Sequence, residues 1–98
     1  MRAVLCNKLE GIEALTIADV AEPRLGADEV LIDVHAASVS YMDYLMVCGR
    51  YQMRPPLPYV PGTEYAGVVA VVGDAVNGLR PGDRVCVVGM GGGYALFC

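Results

Sequence analysis

Residues 55–72 read PPLPYVPGTEYAGVVAVV and constrain the fold more than any other stretch of this chain. Four prolines fall within Pro55–Pro61, and proline fixes φ and removes a backbone donor. That half cannot pair inside a sheet and runs as a stiff exposed or covering connection. After the Pro61-Gly62 turn come two polar residues, Thr63 and Glu64, and then an apolar run. Val68 to Val72 is β-branched apart from Ala70, which suits a strand buried on both faces. Polar residues between a stiff loop and a buried strand are placed to line a cleft.

The flanking sequence supplies short strands and turns. Arg2 to Asn7 reads as a first strand and Leu15 to Val20 as a second, with Leu15 and Ile17 on one face. Val30, Ile32 and Val34 share one face of a third strand, and Asp33 and His35 share the other. Ser40 with Asp43 three residues on has the spacing of a capping box. It opens a two-turn helix that Gly49 closes. Pro81-Gly82 within RPGD holds the central positions of a type II turn. Arg84 to Val88 is a further strand, GMGGG a flexible bend, and Tyr94 to Cys98 a final strand whose unpaired edge is expected to favour association. The pattern predicts one mainly β domain over residues 1–98, an antiparallel barrel or sandwich with one short helix.

Composition excludes several function classes. A net charge of -4 gives no electrostatic reason to bind nucleic acid or an anionic membrane. The longest uncharged run, Val85 to Cys98, is too short and too glycine-broken to span a bilayer. Four cysteines without a CxxC pair, beside a single histidine, lack compact zinc spacing. Free, mostly buried thiols in a reducing cytoplasm are expected. No Ser-His-Asp order supports a nucleophilic hydrolase.

The segments MRAVLCN, EVLIDVHAASVSYMDYL, PPLPYVPGTEYAGVV, VGDAV, LRPGDRV and GGGYALFC together resemble, in order and along the whole chain, the N-terminal half of medium-chain dehydrogenase/reductases. They are most similar to the zinc-free, quinone oxidoreductase-like branch. The resemblance implies a GroES-like, partly open barrel on the substrate side of an active site. It also implies a Rossmann domain that binds NADPH and that this chain does not contain. The glycines 89–93 do not replace it, because a dinucleotide fingerprint needs a helix N-terminus after the glycines to receive the pyrophosphate. The 98 residues alone are therefore expected to be inactive and not to bind NADPH. A homodimer is compatible with the full-length enzyme.

In zinc-dependent relatives a cysteine ligand follows the third strand and a histidine precedes the glutamate of G-H-E. Those positions here read Ser40 and Thr63, both poor zinc ligands, and no metal is expected. The chemistry implied is hydride transfer to a quinone or α,β-unsaturated carbonyl, which needs positioning and hydrogen bonds to the carbonyl oxygen. By the same resemblance Ser40 lies near the nicotinamide, Tyr51 and Tyr59 stack on or hydrogen-bond a planar substrate, and Thr63 donates to its carbonyl. Each also has a plain structural reading: Ser40 as N-cap, the tyrosines as walls, Thr63 as a turn residue, Asp43 as part of the cap, Glu64 as a buried carboxylate held by amides, and His35 as a surface residue. A stand-alone GroES-like barrel that binds a protein is the alternative in a different class.

Overall fold

A computed structural model describes all 98 residues. Strands β1 (Arg2–Cys6) and β2 (Leu15–Asp19) form an antiparallel pair, joined through a single 3-10 turn at Ile12–Ala14. Strands β3 (Val30–Ala37), β4 (Glu64–Val72) and β5 (Arg84–Val88) form a second antiparallel sheet with β4 at its centre. Helix α1 (Tyr41–Val47) lies in the β3–β4 connection, followed by the proline loop with a cis peptide at Leu57-Pro58. The sheets do not close on themselves, so the architecture is a mainly β, partly open barrel. No helix is long and apolar enough to cross a membrane.

The closing segment differs from the expected terminal strand. Tyr94 to Cys98 forms no ladder of its own and makes only isolated bridges, Ala3 with Ala95 and Asp33 with Phe97. It runs between the two sheets instead. The Val4 amide donates to the Tyr94 carbonyl at 2.9 Å, while Val34 donates to Leu96 and Cys98 exchanges both bonds with Ile32. Pairing that alternates between β1 and β3 satisfies the segment on both sides, so it is not an open edge. The free edge of the larger sheet belongs to β5.

Strand β4 also departs from expectation. Tyr65, Gly67 and Val69 are buried on one face, whereas on the other Glu64 is exposed and Ala66, Val68 and Ala70 are half-buried; Val71, beyond the register irregularity at Leu31 and Ile32, is exposed. Only one face meets the interior, because nothing covers the other; an apolar run cannot distinguish these cases when its outward residues are small. On β2, Leu15 is half-buried as expected but Ile17 is 69% exposed, since the two-stranded sheet has an open face. The cysteines are all free, yet only Cys6 is buried and Cys86 is exposed on the outer face of β5.

The apolar cluster that positions α1 contains Cys6, Met46, Val47 and Tyr59, with Leu9, Leu15, Met42, Cys48 and Tyr51 packed around it. Met46 and Val47 form the inward stripe of the helix, and Tyr59 comes from the proline loop. That loop is pinned to the end of β1 by reciprocal bonds between Cys6 and Tyr59, at 2.7 and 2.9 Å. The expected type II turn at 80–83 is present: Gly82 has φ of 96° and the Asp83 amide donates to Arg80.

Gly62 is where the loop, the hinge and the closing segment meet. Its φ is +102°, and a Cβ built there would lie 2.7 Å from the Tyr94 amide nitrogen. Gly78 has a similar φ of +88° but no atom within 4 Å of its Cβ position. Gly62→Ala therefore adds a collision with backbone to left-handed strain, whereas Gly78→Ala adds strain alone. Urea unfolding should show a loss of about 1 kcal/mol for Gly78→Ala and at least about twice that for Gly62→Ala. Equal losses would contradict this packing.

Candidate active site

Ser40, just before α1, has extended backbone, φ -119° and ψ 167°, and serves as its N-cap. Its amide donates to Asp43 Oδ2 at 2.9 Å, the carboxylate half of the expected capping box. Its hydroxyl also donates to Asp43 Oδ2, at 2.9 Å. Ser40 thus gives both of its donors to the same oxygen.

The other oxygen of Asp43 reaches across to the hinge. Oδ1 accepts the Thr63 amide at 2.8 Å and the Thr63 hydroxyl at 2.9 Å. Tyr94 adds a fifth donor, its hydroxyl lying 3.2 Å from Oδ2 and 2.8 Å from the Ser38 carbonyl. The two positions expected to mark lost metal ligands, 40 and 63, therefore converge on one carboxylate. Asp43 is 4% exposed and Thr63 1% exposed. No three His, Cys, Asp or Glu side chains lie together so as to hold a metal ion, and the hydroxyls at 40 and 63 are turned to Asp43. The residues present do not fit a zinc site.

Burial alone would raise the carboxyl pKa of Asp43. The amides of Ser40 and Thr63, followed by their hydroxyls, outweigh it and hold the carboxyl below its ordinary value. The neighbouring phenols move the other way. Burial first, then the charge of Asp43, pushes Tyr59 up to about 12; burial, the same charge and its hydrogen bond to Asp43 push Tyr94 up to about 12. Both phenols stay protonated at neutral pH and act as donors, not as bases.

The remaining expected site residues are dispersed. Tyr59 is buried, its hydroxyl donates to the Met90 carbonyl at 2.7 Å, and it walls an apolar groove of about 430 Å³ together with Met46, Met53, Pro55 and Gly91. Tyr51 is half-buried against the apolar cluster. Ser40, Tyr51 and Thr63 line none of the larger grooves. The Thr63 hydroxyl hydrogen is committed to Asp43, so a substrate carbonyl would have to displace that bond. Glu64 is not a buried carboxylate held by amides; it is exposed and accepts only the Ser38 hydroxyl, at 3.2 Å. Its alternation on β4 turns it outward while Tyr65 turns in. His35 lies on the surface, 3.4 Å from Asp33. The residue missed altogether was Tyr94. Its only signal was an aromatic directly after three glycines, which let the backbone run close enough to Gly62 for the phenol to reach Asp43.

The alcohol dehydrogenase GroES-like domain family matches residues 26–98. The quinone oxidoreductase-like protein 2 homolog of Nematostella vectensis is 43% identical over 99 aligned residues, covering 99% of this chain and 27% of that protein. The solved structure of a probable oxidoreductase from Mycobacterium abscessus superposes with a TM-score of 0.92 at 43% identity, covering all of this chain and 31% of that one. The quinone oxidoreductase of Thermus thermophilus, described also in complex with NADPH, gives a TM-score of 0.81 at 31% identity, over 100% of this chain and 29% of that one. This chain belongs to the alcohol dehydrogenase GroES-like domain family, homologous to the N-terminal domain of the quinone oxidoreductase-like branch of zinc-free medium-chain dehydrogenase/reductases. It spans roughly a quarter to a third of the length of these relatives.

The Asp43 network carries a prediction in pH. Its folded pKa lies below the unfolded one, so its contribution to stability is complete above about pH 4 and is lost as pH falls through the folded value. Asp43→Asn should lose about 2–3 kcal/mol at pH 7 and lack this acid limb in urea titrations from pH 6 to pH 2. At the alkaline end the raised phenols act oppositely: stability should decline as pH rises from about 10 towards 12. A variant matching the parent at every pH would refute the role of the carboxylate.

Proposed function

We propose that this chain supplies the substrate-side part of an NADPH-dependent oxidoreductase that reduces a quinone or an α,β-unsaturated carbonyl by hydride transfer, without zinc. The observation that carries the reading is the convergence of Ser40 and Thr63 on Asp43. Where zinc-dependent relatives place ligands, this chain places hydroxyls already bonded to a carboxylate. A metal-free pocket suits acceptors electrophilic enough to take hydride without a Lewis acid. That the relatives include quinone oxidoreductases, one of them described in complex with NADPH, supports the same substrate and cofactor classes.

NADPH, bound by a Rossmann domain that the relatives' extra length has room for, would supply the hydride. The residues of this chain position and enclose. Ser40, half-buried with its hydrogen directed at Asp43 and its oxygen facing the Asp43 amide in the capping box, keeps one hydroxyl lone pair as an acceptor beside the nicotinamide. Tyr51 offers a part-exposed aromatic wall for a planar acceptor. Thr63 and Tyr59, whose hydroxyl hydrogens are engaged, act by holding the hinge and the loop in place. The four free cysteines suit a reducing compartment such as the cytoplasm.

The test uses the full-length protein, assayed for NADPH oxidation with 1,4-benzoquinone and with an enone. Quinone-dependent oxidation should survive dialysis against a zinc chelator. Tyr51→Ala should lower kcat/KM by about tenfold or more. Activity abolished by chelation, or no acceptor-dependent oxidation, would contradict the reading. The 98 residues alone should show no NADPH binding by calorimetry, and micromolar affinity would be the contrary result.

A further inference from the structure

The two oxygens of Asp43 are loaded unequally. Oδ1 accepts the amide and the hydroxyl of Thr63 and no third donor. Oδ2 has the Ser40 amide and hydroxyl, both at 2.9 Å, and also the Tyr94 hydroxyl at 3.2 Å. A phenol carries a single hydrogen, and this one lies between two acceptors, because the Ser38 carbonyl is 2.8 Å away. The shorter distance puts it mainly on Ser38, with Asp43 Oδ2 in reserve. The ring itself is fixed: the Tyr94 amide donates to the Pro61 carbonyl at 3.0 Å, and its carbonyl accepts from Val4 at 2.9 Å. Burial, then the charge of Asp43, push the phenol up to about 12, so the hydrogen is present at neutral pH. Moving it between the two acceptors takes only rotation about the phenolic C–O bond.

We infer that Tyr94 is a positioning residue that lets Ser40 turn from hydrogen-bond acceptor to donor as charge builds on the substrate. At rest the Ser40 hydrogen is on Oδ2 and its oxygen is the acceptor. When Ser40 gives that hydrogen to a carbonyl oxygen instead, Oδ2 keeps only the Ser40 amide, and a buried carboxylate left short of donors is costly. Tyr94 removes that cost. Its hydrogen swings from the Ser38 carbonyl to Oδ2 as the Ser40 hydrogen leaves. A bond to a neutral carbonyl is exchanged for a stronger one to a charged oxygen, and no proton changes owner. Thr63 has no such relief, because Oδ1 lacks a spare donor and Thr63 is fully buried. Ser40 is therefore the hydroxyl that can be released. The inference rests on the reading above, in which the acceptor lies beside Ser40. Hydride arrival at a quinone or enone builds negative charge on its carbonyl oxygen, and a donor supplied at that moment stabilises the transition state.

The test is a double-mutant cycle of Tyr94→Phe and Ser40→Ala, read in two ways. In the full-length protein Tyr94→Phe should lower kcat about tenfold with KM for 1,4-benzoquinone little changed, the pattern of an interaction made only in the transition state. In the Ser40→Ala background the same change should alter kcat by less than about twofold, because no hydroxyl is left for it to release. A tyrosine with a merely structural role would cost the same factor in both backgrounds; that result, or an unchanged kcat in an active enzyme, overturns the proposal. The second reading needs no turnover. In urea unfolding of the chain, Ser40→Ala should raise the unfolding constant about tenfold more in the Tyr94→Phe background, since only the phenol replaces the lost donor. Equal factors in the two backgrounds overturn it as well. A full-length protein that oxidises no NADPH with any acceptor contradicts the reaction proposed above, and the unfolding cycle then decides the role of Tyr94.

Discussion

One carboxylate holds the working corner of this fold together. Asp43 stands in the first turn of α1, yet four of its bonds link that turn to residues just before the helix and at the start of β4. Tyr94, from the closing segment, supplies the fifth donor. A buried charge is tolerable only when its oxygens are filled, and here each oxygen accepts at least two bonds. The loop after β3, the proline loop and the glycine-rich bend are therefore held to one point rather than to three separate ones. Removing the carboxylate would orphan two hydroxyls, one of them on the fully buried Thr63.

The rest of the corner follows from that arrangement. Because Thr63 is drawn to Asp43, Gly62 must turn with positive φ, and the close passage of Tyr94 forbids a side chain there. Because α1 is fixed at its N-terminus, Met46 and Val47 meet Cys6 and Tyr59, and the proline loop docks on β1. The positions that mark a metal site in zinc-dependent relatives are here bonded to Asp43. A corner made this way is rigid and offers few free donors, which accords with the proposed reaction, whose electrophile needs orientation more than polarisation.

Much of this was legible from residues 2–88. β-branched alternation placed β3, Pro81-Gly82 placed its turn, and Ser40 with Asp43 placed the start of α1. The motifs in series identified the branch. What was not legible depended on long-range pairing. Asp43 read as a local cap because sequence spacing shows i to i+3 partners and not a hinge twenty residues away. Val68 to Val72 read as doubly buried because hydropathy does not say whether a second layer covers the outer face. Glu64 read as buried for the same reason, and the free edge was assigned to Tyr94–Cys98 when those residues are paired on both sides and β5 is the open strand. Tyr94 was invisible as a partner of Asp43 because only the folded path of the bend brings the two together.

The central claim, that Asp43 is an ionised, fully bonded hub, is most directly tested by NMR. Carbon-13 titration of its carboxyl, with amide exchange measured at Thr63 in the same samples, reports charge and bonding together. The structure predicts a midpoint below the ordinary carboxylate range of about 3.9 and a Thr63 amide protected to the level of global unfolding until that midpoint is crossed. A midpoint in the ordinary range, with a freely exchanging Thr63 amide, would contradict it.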